Sequence, residues 1–147
     1  MGRVIVGQPL VPGEAAGQAL VTREPLSFWG GFDYRTGEII DRRHPLSGQI
    51  AAGRVLVVPH ARGSSTTTAV LLEAMRAGTS PAAILTTGPE TFFALAAIVA
   101  QEMYQRWFPV VTIDPNDFDS LESGVRLMIA LDGTITADES PKVEGRP

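Results

Sequence analysis

The chain has 147 residues, of which 44% are hydrophobic and 19% charged, the size and balance of one soluble globular domain with a substantial core. It contains no cysteine, so it can supply neither a disulfide nor a thiolate nucleophile, and a cysteine-ligated zinc or iron–sulfur centre would have to be held by another chain. A net charge of -4 without a face rich in Lys and Arg argues against nucleic acid, and with neither a basic-then-apolar leader nor a bilayer-length apolar run the expectation is a cytoplasmic protein that does not enter a membrane.

Arg3-Val4-Ile5-Val6-Gly7 and Gln18-Ala19-Leu20-Val21-Thr22 read as two β-strands separated by Pro9, Pro12 and Gly13, and are expected to pair antiparallel. From Pro25 to Gly53 the chain turns irregular and rich in breakers, Ser27-Phe28-Trp29-Gly30-Gly31-Phe32-Asp33 being followed by Thr36-Gly37 and by His44-Pro45-Leu46-Ser47-Gly48. An excursion of that length in a compact domain is expected to carry function. Arg54-Val55-Leu56-Val57-Val58-Pro59 is a buried-strand pattern, and it leads straight into His60-Ala61-Arg62-Gly63-Ser64-Ser65-Thr66-Thr67-Thr68, where helical periodicity begins. Gly78 stops that helix, Pro81 to Thr86 reads as a strand, and a second helix is predicted from about Glu90 to Arg106 with Pro89 at a first-turn position. Its apolar set, Phe92, Phe93, Leu95, Ile98, Val99 and Met103, is wide enough to predict burial on more than one side. A strand at Pro109 to Ile113, a short helical turn from Asp117 to Leu121 and a last strand at Arg126 to Ala130 complete the pattern. The prediction is one α/β domain over residues 1–136, β-rich in its first half and β-α-β-α-β in its second, followed by a frayed polar tail over 137–147.

The hydroxyl cluster admits two readings. A strand that turns into a helix through Gly63 leaves the first backbone N–H groups of the helix without intrahelical partners, which makes a ready anion site. Arg62 adds a planar donor fork suited to a carboxylate or phosphate, and Ser64, Ser65 and Thr66 add short donors around it. Alternatively one serine is an ordinary helix N-cap, but a cap needs a single hydroxyl and leaves Arg62 and the others unexplained. A nucleophile elbow does not fit: that motif needs a second glycine after the serine and a later histidine, whereas His44 and His60 both lie upstream. As a base, a serine hydroxyl lies on the order of 8 kcal/mol from ionisation at neutral pH, at about 1.36 kcal/mol per pH unit. A helix N-terminus offers up to about 2 kcal/mol. The remainder must come from Arg62 or another cation, so the chain reads as half of an active site.

Taken together, Ser27-Phe28-Trp29-Gly30-Gly31-Phe32-Asp33 with Thr36-Gly37, His44-Pro45-Leu46 with Gly48, Val55 to Val58 followed by Arg62-Gly63-Ser64-Ser65, and Pro81-Ala82-Ala83-Ile84 resemble the small, or swivel, subunit of the aconitase X enzymes. The resemblance covers nearly the whole chain except the tail. It implies a swivelling β/β/α fold that closes over a larger partner subunit, with the active site in the cleft between them. It also implies that the large subunit holds an iron–sulfur cluster or metal, while this chain binds no cofactor and contributes a serine base for a dehydration. By position that serine is Ser64, with Arg62, Gly63, Ser65 and Thr66 binding the small anionic substrate. Aconitase itself has an arginine after its paired serines where this chain has Thr66, which tells against a tricarboxylate such as citrate. Two dehydrations are known in the family, of cis-3-hydroxy-L-proline and of 5-phosphomevalonate. The basic residues are almost all arginine, Lys142 being the sole lysine, which favours the bacterial hydroxyproline type over an archaeal one.

The remaining candidates have plainer readings. With no carboxylate at ligand spacing, His44 and His60 are read as loop or turn histidines rather than metal ligands. Phe28 and Trp29 suit a cleft or partner interface and suit core packing equally; Asp33 is read as a turn cap, and Glu73 with Arg76 as a solvated helix face. A rival class is the phosphohistidine swivel, but its carriers place the histidine at the helix start, and His60 lies before Arg62-Gly63. A stand-alone anion-binding module is the other alternative.

Overall fold

The computed structural model describes residues 2–62, 66–88 and 90–138. The second half folds where its punctuation predicts: β6 (Val55–Val57), α1 (Thr66–Ala77), β7 (Ala83–Thr86), α2 (Thr91–Tyr104), β8 (Val110–Thr112), α3 (Pro115–Ser120) and β9 (Arg126–Ile129) follow in order. The first half supplies β1 (Gly2–Val6), β2 (Gln8–Val11), β3 (Ala15–Val21) and, inside the excursion, the two-residue strands β4 (Phe32–Asp33) and β5 (Glu38–Ile39). A final strand, β10 (Thr134–Asp138), runs two residues into the segment read as tail; residues 139–147 lie outside the described residues.

Eight of these strands form one sheet in the order β1-β10-β9-β3-β6-β7-β8-β2. Its centre is parallel from β3 through β8, and here successive side chains are buried on opposite faces. Val55, Val57, Ala83, Leu85 and Val111 point into one core with Leu127, Ile129, Ile135 and Phe118, while Leu56, Val58, Ile84 and Val110 face α1, α2 and the excursion. Parallel strands covered on both faces read as continuous apolar runs, which is why they were legible in the sequence. The antiparallel strands β1, β9 and β10 bury one face and leave Val4, Val6 and Met128 exposed on the other.

The expected antiparallel pairing of the first two strands is not formed. β1 pairs with β10, and β3 lies parallel to β6 on one side and antiparallel to β9 on the other. The burial pattern gives the reason: Ile5 alternates with exposed Val4 and Val6 as in a half-covered strand, whereas Ala19 and Leu20 are both fully buried and need cover on both faces. Consecutive strands β1 and β2 therefore sit at opposite edges of the sheet, and the chain passes between the edges at Gly7, whose N–H donates to Gly133 O at 3.1 Å.

This crossing demands two glycines. Gly133 has φ +91 and a Cβ there would lie 2.7 Å from Gly7 O and 2.7 Å from Pro9 Cδ; a Cβ on Gly7 would run into Val111. Gly133→Ala is expected to lose about 2–4 kcal/mol in urea unfolding, from left-handed strain together with overpacking. Gly124, at φ +95 with open space around it, isolates the strain alone, so Gly124→Ala should lose only about 1–2 kcal/mol. Equal losses at the two positions would show that the edges do not meet at Gly7 and Gly133.

α2 corrects a second expectation. It buries one side only, through Phe93, Ala96, Ala97 and Ala100, while Leu95, Ile98 and Met103 are exposed. The helix lies against α1, β2 and β8, and its small residues supply the packed face. Pro89 lies outside the described residues, and the helix starts after Glu90, its N-cap. No helix among the described residues is long and apolar enough to cross a membrane.

Candidate active site

The site is assembled at the carboxyl ends of β6 and β7, where open α/β sheets bind their ligands. After β6 the chain runs through Pro59 and exposed His60, whose Nδ1 lies 3.0 Å from Ala61 O, to the segment that precedes α1. Ala61 forms a parallel bridge with Leu26 of the excursion, and the Arg62 N–H donates to Leu26 O at 2.9 Å. The backbone of Arg62 is thus fixed while its side chain stays exposed, with no hydrogen-bond or ion-pair partner among the described residues.

Of the residues singled out from sequence, Arg62 and Thr66 are described, Thr66 as the exposed first residue of α1. Gly63, Ser64 and Ser65 lie outside the described residues. The next two hydroxyls are taken out of solvent: Thr67 is 1% exposed with no partner for its Oγ1 among the described residues, and Thr68 Oγ1 donates to Phe92 O at 3.1 Å, tying α1 to α2. Thr68 is therefore an internal tie rather than a ligand-facing group.

Arg62 lines a cleft of about 460 Å³ with Glu24, Ser27, Asp41, Arg42, Arg43 and His44, a volume suited to a small ligand. Arg42 and Arg43 are exposed and, like Arg62, their guanidinium groups have no partner among the described residues. Three guanidinium groups against the two carboxylates of Glu24 and Asp41 make the cleft suitable for an anion. The pair Arg42-Arg43, next to Asp41 inside the long excursion, was a visible signal that the sequence reading passed over.

His44 has a structural role. Its Nδ1 accepts from the Leu46 N–H at 3.1 Å, so the ring proton resides on Nε2, which faces Pro25 O at 3.2 Å. The two aromatic neighbours divide: Phe28 is fully buried and Trp29 is 70% exposed. Asp33 caps its turn, accepting from the Arg35 N–H at 2.9 Å, and Arg76 pairs with Glu73 at 2.7 Å on the solvated face of α1. That carboxylate raises the Arg76 pKa above its ordinary value, leaving the guanidinium charged. Among the described residues no three His, Asp or Glu side chains are grouped to hold a metal ion, and the chain has no cysteine.

A model of the aconitase X swivel domain matches residues 4–137. The cis-3-hydroxy-L-proline dehydratase of Pseudomonas aeruginosa is 44% identical over 146 residues, which is 98% of this chain and 25% of that protein, so the chain spans a quarter of that relative's length. The phosphomevalonate dehydratase small subunit of Thermococcus onnurineus is 34% identical over 134 residues, 90% of this chain and 97% of the relative. The crystal structure of the aconitase X of Thermococcus kodakaraensis in its holo form superposes with a TM-score of 0.82 at 31% identity, covering 93% of this chain and 99% of the other.

Proposed function

Because the chain belongs to the aconitase X swivel-domain family, we propose that it is the small subunit of a two-subunit dehydratase and supplies the base that starts the elimination of water from a hydroxy acid. The observation that carries this reading is Arg62: its backbone is pinned to Leu26, its guanidinium is unpartnered among the described residues, and it stands directly before Gly63-Ser64-Ser65 at the carboxyl ends of β6 and β7.

In this reading Arg62 takes the substrate's anionic group, with Gly63, Ser65 and Thr66 around it. Ser64 removes the proton from the carbon that bears the carboxylate; the electrons of that C–H bond form the double bond as hydroxide leaves the adjacent carbon. The positive charge of Arg62 eases the developing alkoxide. Because the chain has no cysteine and no three metal-ligating side chains are grouped among the described residues, an iron–sulfur cluster or metal centre is assigned to the large partner.

The preferred substrate is cis-3-hydroxy-L-proline, supported by the 44% identity to the Pseudomonas dehydratase across nearly the whole chain. A second reading, 5-phosphomevalonate, is favoured by a different observation: the Thermococcus small subunit is matched over 97% of its own length, and the cluster of Arg42, Arg43 and Arg62 suits a phosphate. The test is dehydration of each compound by this chain co-expressed with a large aconitase X-type subunit, with the isolated chain as control. Turnover of one substrate only, and only by the complex, is expected. No turnover of either by the metal-replete complex would overturn the dehydratase reading, and phosphate labelling on His60 would replace it with the carrier class.

A further inference from the structure

We infer that the outward face of α2 is the surface on which the large partner docks, an inference that rests on the two-subunit reading above. The outward face of a surface helix is ordinarily its polar one. Here the outward residues include Leu95, Ile98 and Met103, exposed by 43%, 47% and 60%, with Phe92 and Val99 half-buried beside them. Positions 92, 95, 99 and 103 fall three or four apart and so form one stripe along nearly the whole helix, with Ile98 next to it. Over the 14 residues of α2 the only charge is Glu102. Single exposed apolar side chains are ordinary on a surface, but a contiguous stripe of them marks a place where another surface binds. Charges are depleted from the centre of protein interfaces, as they are here.

The occupant follows from where the stripe begins and from its one charge. Glu90, the N-cap of α2, also accepts from the Ala61 N–H at 3.0 Å through Oε1, and Phe92 O accepts from Thr68 Oγ1 at 3.1 Å. The first turn of α2 therefore lies beside the segment that carries Arg62, and a subunit closing over Arg62 meets the stripe at Phe92. The part of the Pseudomonas dehydratase that this chain matches is a quarter of that protein, whereas the Thermococcus small subunit is matched over nearly its whole length. The same domain thus exists joined to a much larger remainder and as a separate chain, where only surface contacts can replace the covalent link. A second copy of this chain fits the stripe less well. Glu102 is exposed with no partner among the described residues, and α2 has no Lys or Arg to offer it across a two-fold axis. The next cation, Arg106, is occupied, donating to Met75 O at 3.1 Å. Burying Glu102 against its own copy would leave a carboxylate without a counter-charge. The surface that fits is an apolar groove with a basic side chain at the end away from Arg62.

The test measures the Kd between the full chain and a large aconitase X-type subunit, by titration calorimetry and gel filtration, for Leu95→Arg, Ile98→Arg and Met128→Arg. All three sites are exposed, so each variant should melt close to the unaltered chain. Leu95→Arg and Ile98→Arg are each expected to raise Kd by at least about 30-fold, the loss typical of a residue at the centre of an interface. Met128→Arg, on the exposed sheet face, should leave Kd within about threefold. Glu102→Lys should raise Kd by about 10-fold at low salt and less at high salt. Unchanged Kd in both α2 arginine variants, or a loss confined to Met128→Arg, overturns the assignment. So does an isolated chain that runs as a dimer and is split by Leu95→Arg, since a second copy would then cover the stripe. An unaltered chain that does not bind the large subunit overturns the docking surface. One that binds but dehydrates neither substrate overturns the reaction alone, and the Kd ratios still decide the surface.

Discussion

Ser64→Ala is expected to lower turnover of the assembled enzyme by about 100- to 10,000-fold, the range lost when a positioned general base is removed, with the complex still intact by gel filtration. Ser64 lies outside the described residues, so the argument comes from what flanks it. On one side the Arg62 backbone is fixed to Leu26; on the other, Thr66 opens a helix of 12 residues. Such a helix presents unpaired N–H groups and the positive end of its dipole at its start, worth up to about 2 kcal/mol toward an alkoxide. Together with Arg62 these are the features that would make a serine there a better proton acceptor than serine in water.

The comparison that sharpens this expectation is Ser65→Ala. If Ser65 binds substrate beside the base, its loss should raise KM by about 10-fold, a lost charge-assisted hydrogen bond of roughly 1.4 kcal/mol, with a smaller fall in kcat. Full turnover in Ser64→Ala with turnover abolished in Ser65→Ala would move the base one residue along. Full turnover in both would remove the serine mechanism altogether.

The parts legible from sequence were those in which local pattern and tertiary burial agree. The strand at Val55–Val57 is apolar at each position and the strand at Ala83–Thr86 is apolar up to Thr86, so their existence needed no knowledge of neighbours. Pairing of β1 and β3 was misjudged because nearness in sequence says nothing about a sheet that closes on itself through Gly7. The breadth of the apolar set on α2 misled for a related reason: periodicity ranks residues by hydropathy, but the face packed against α1 is made by Ala96, Ala97 and Ala100, which fit where leucine would not. The strand β10 had a readable signal that was passed over. Asp132-Gly133 closes a three-residue loop, with Gly133 at positive φ and the Asp132 carboxylate accepting from the Thr134 N–H at 2.9 Å, an interaction that holds its pKa below the ordinary value. Glu90 left no local trace of its second role, because its partner Ala61 is 29 residues upstream.

The excursion between β3 and β6 was the least legible region, and it supplies the second large expected effect. Phe28→Ala should destabilise the chain by about 3–5 kcal/mol, against a stability of about 5–15 kcal/mol for an ordinary domain. Phe28 is fully buried, its ring 5.4 Å from that of Phe32 within the excursion and 5.6 Å, edge to face, from that of Phe93 in α2. It is the rivet between an irregular segment and the helical layer, so its removal leaves a cavity that no regular element can close. At about 2–4 °C per kcal/mol for a chain of this size the melting temperature should fall by about 6–20 °C. Trp29→Ala, one residue on at a site 70% exposed, should shift stability by no more than about 0.5 kcal/mol. The loss at Phe28 should also reach function, since Leu26, two residues before it, holds the Arg62 N–H: substrate affinity should weaken at temperatures where the variant is still folded. A variant that melts as the parent does would show that the excursion is held by its own turns alone; one that melts early yet binds substrate as tightly would show that Arg62 does not depend on its anchor at Leu26.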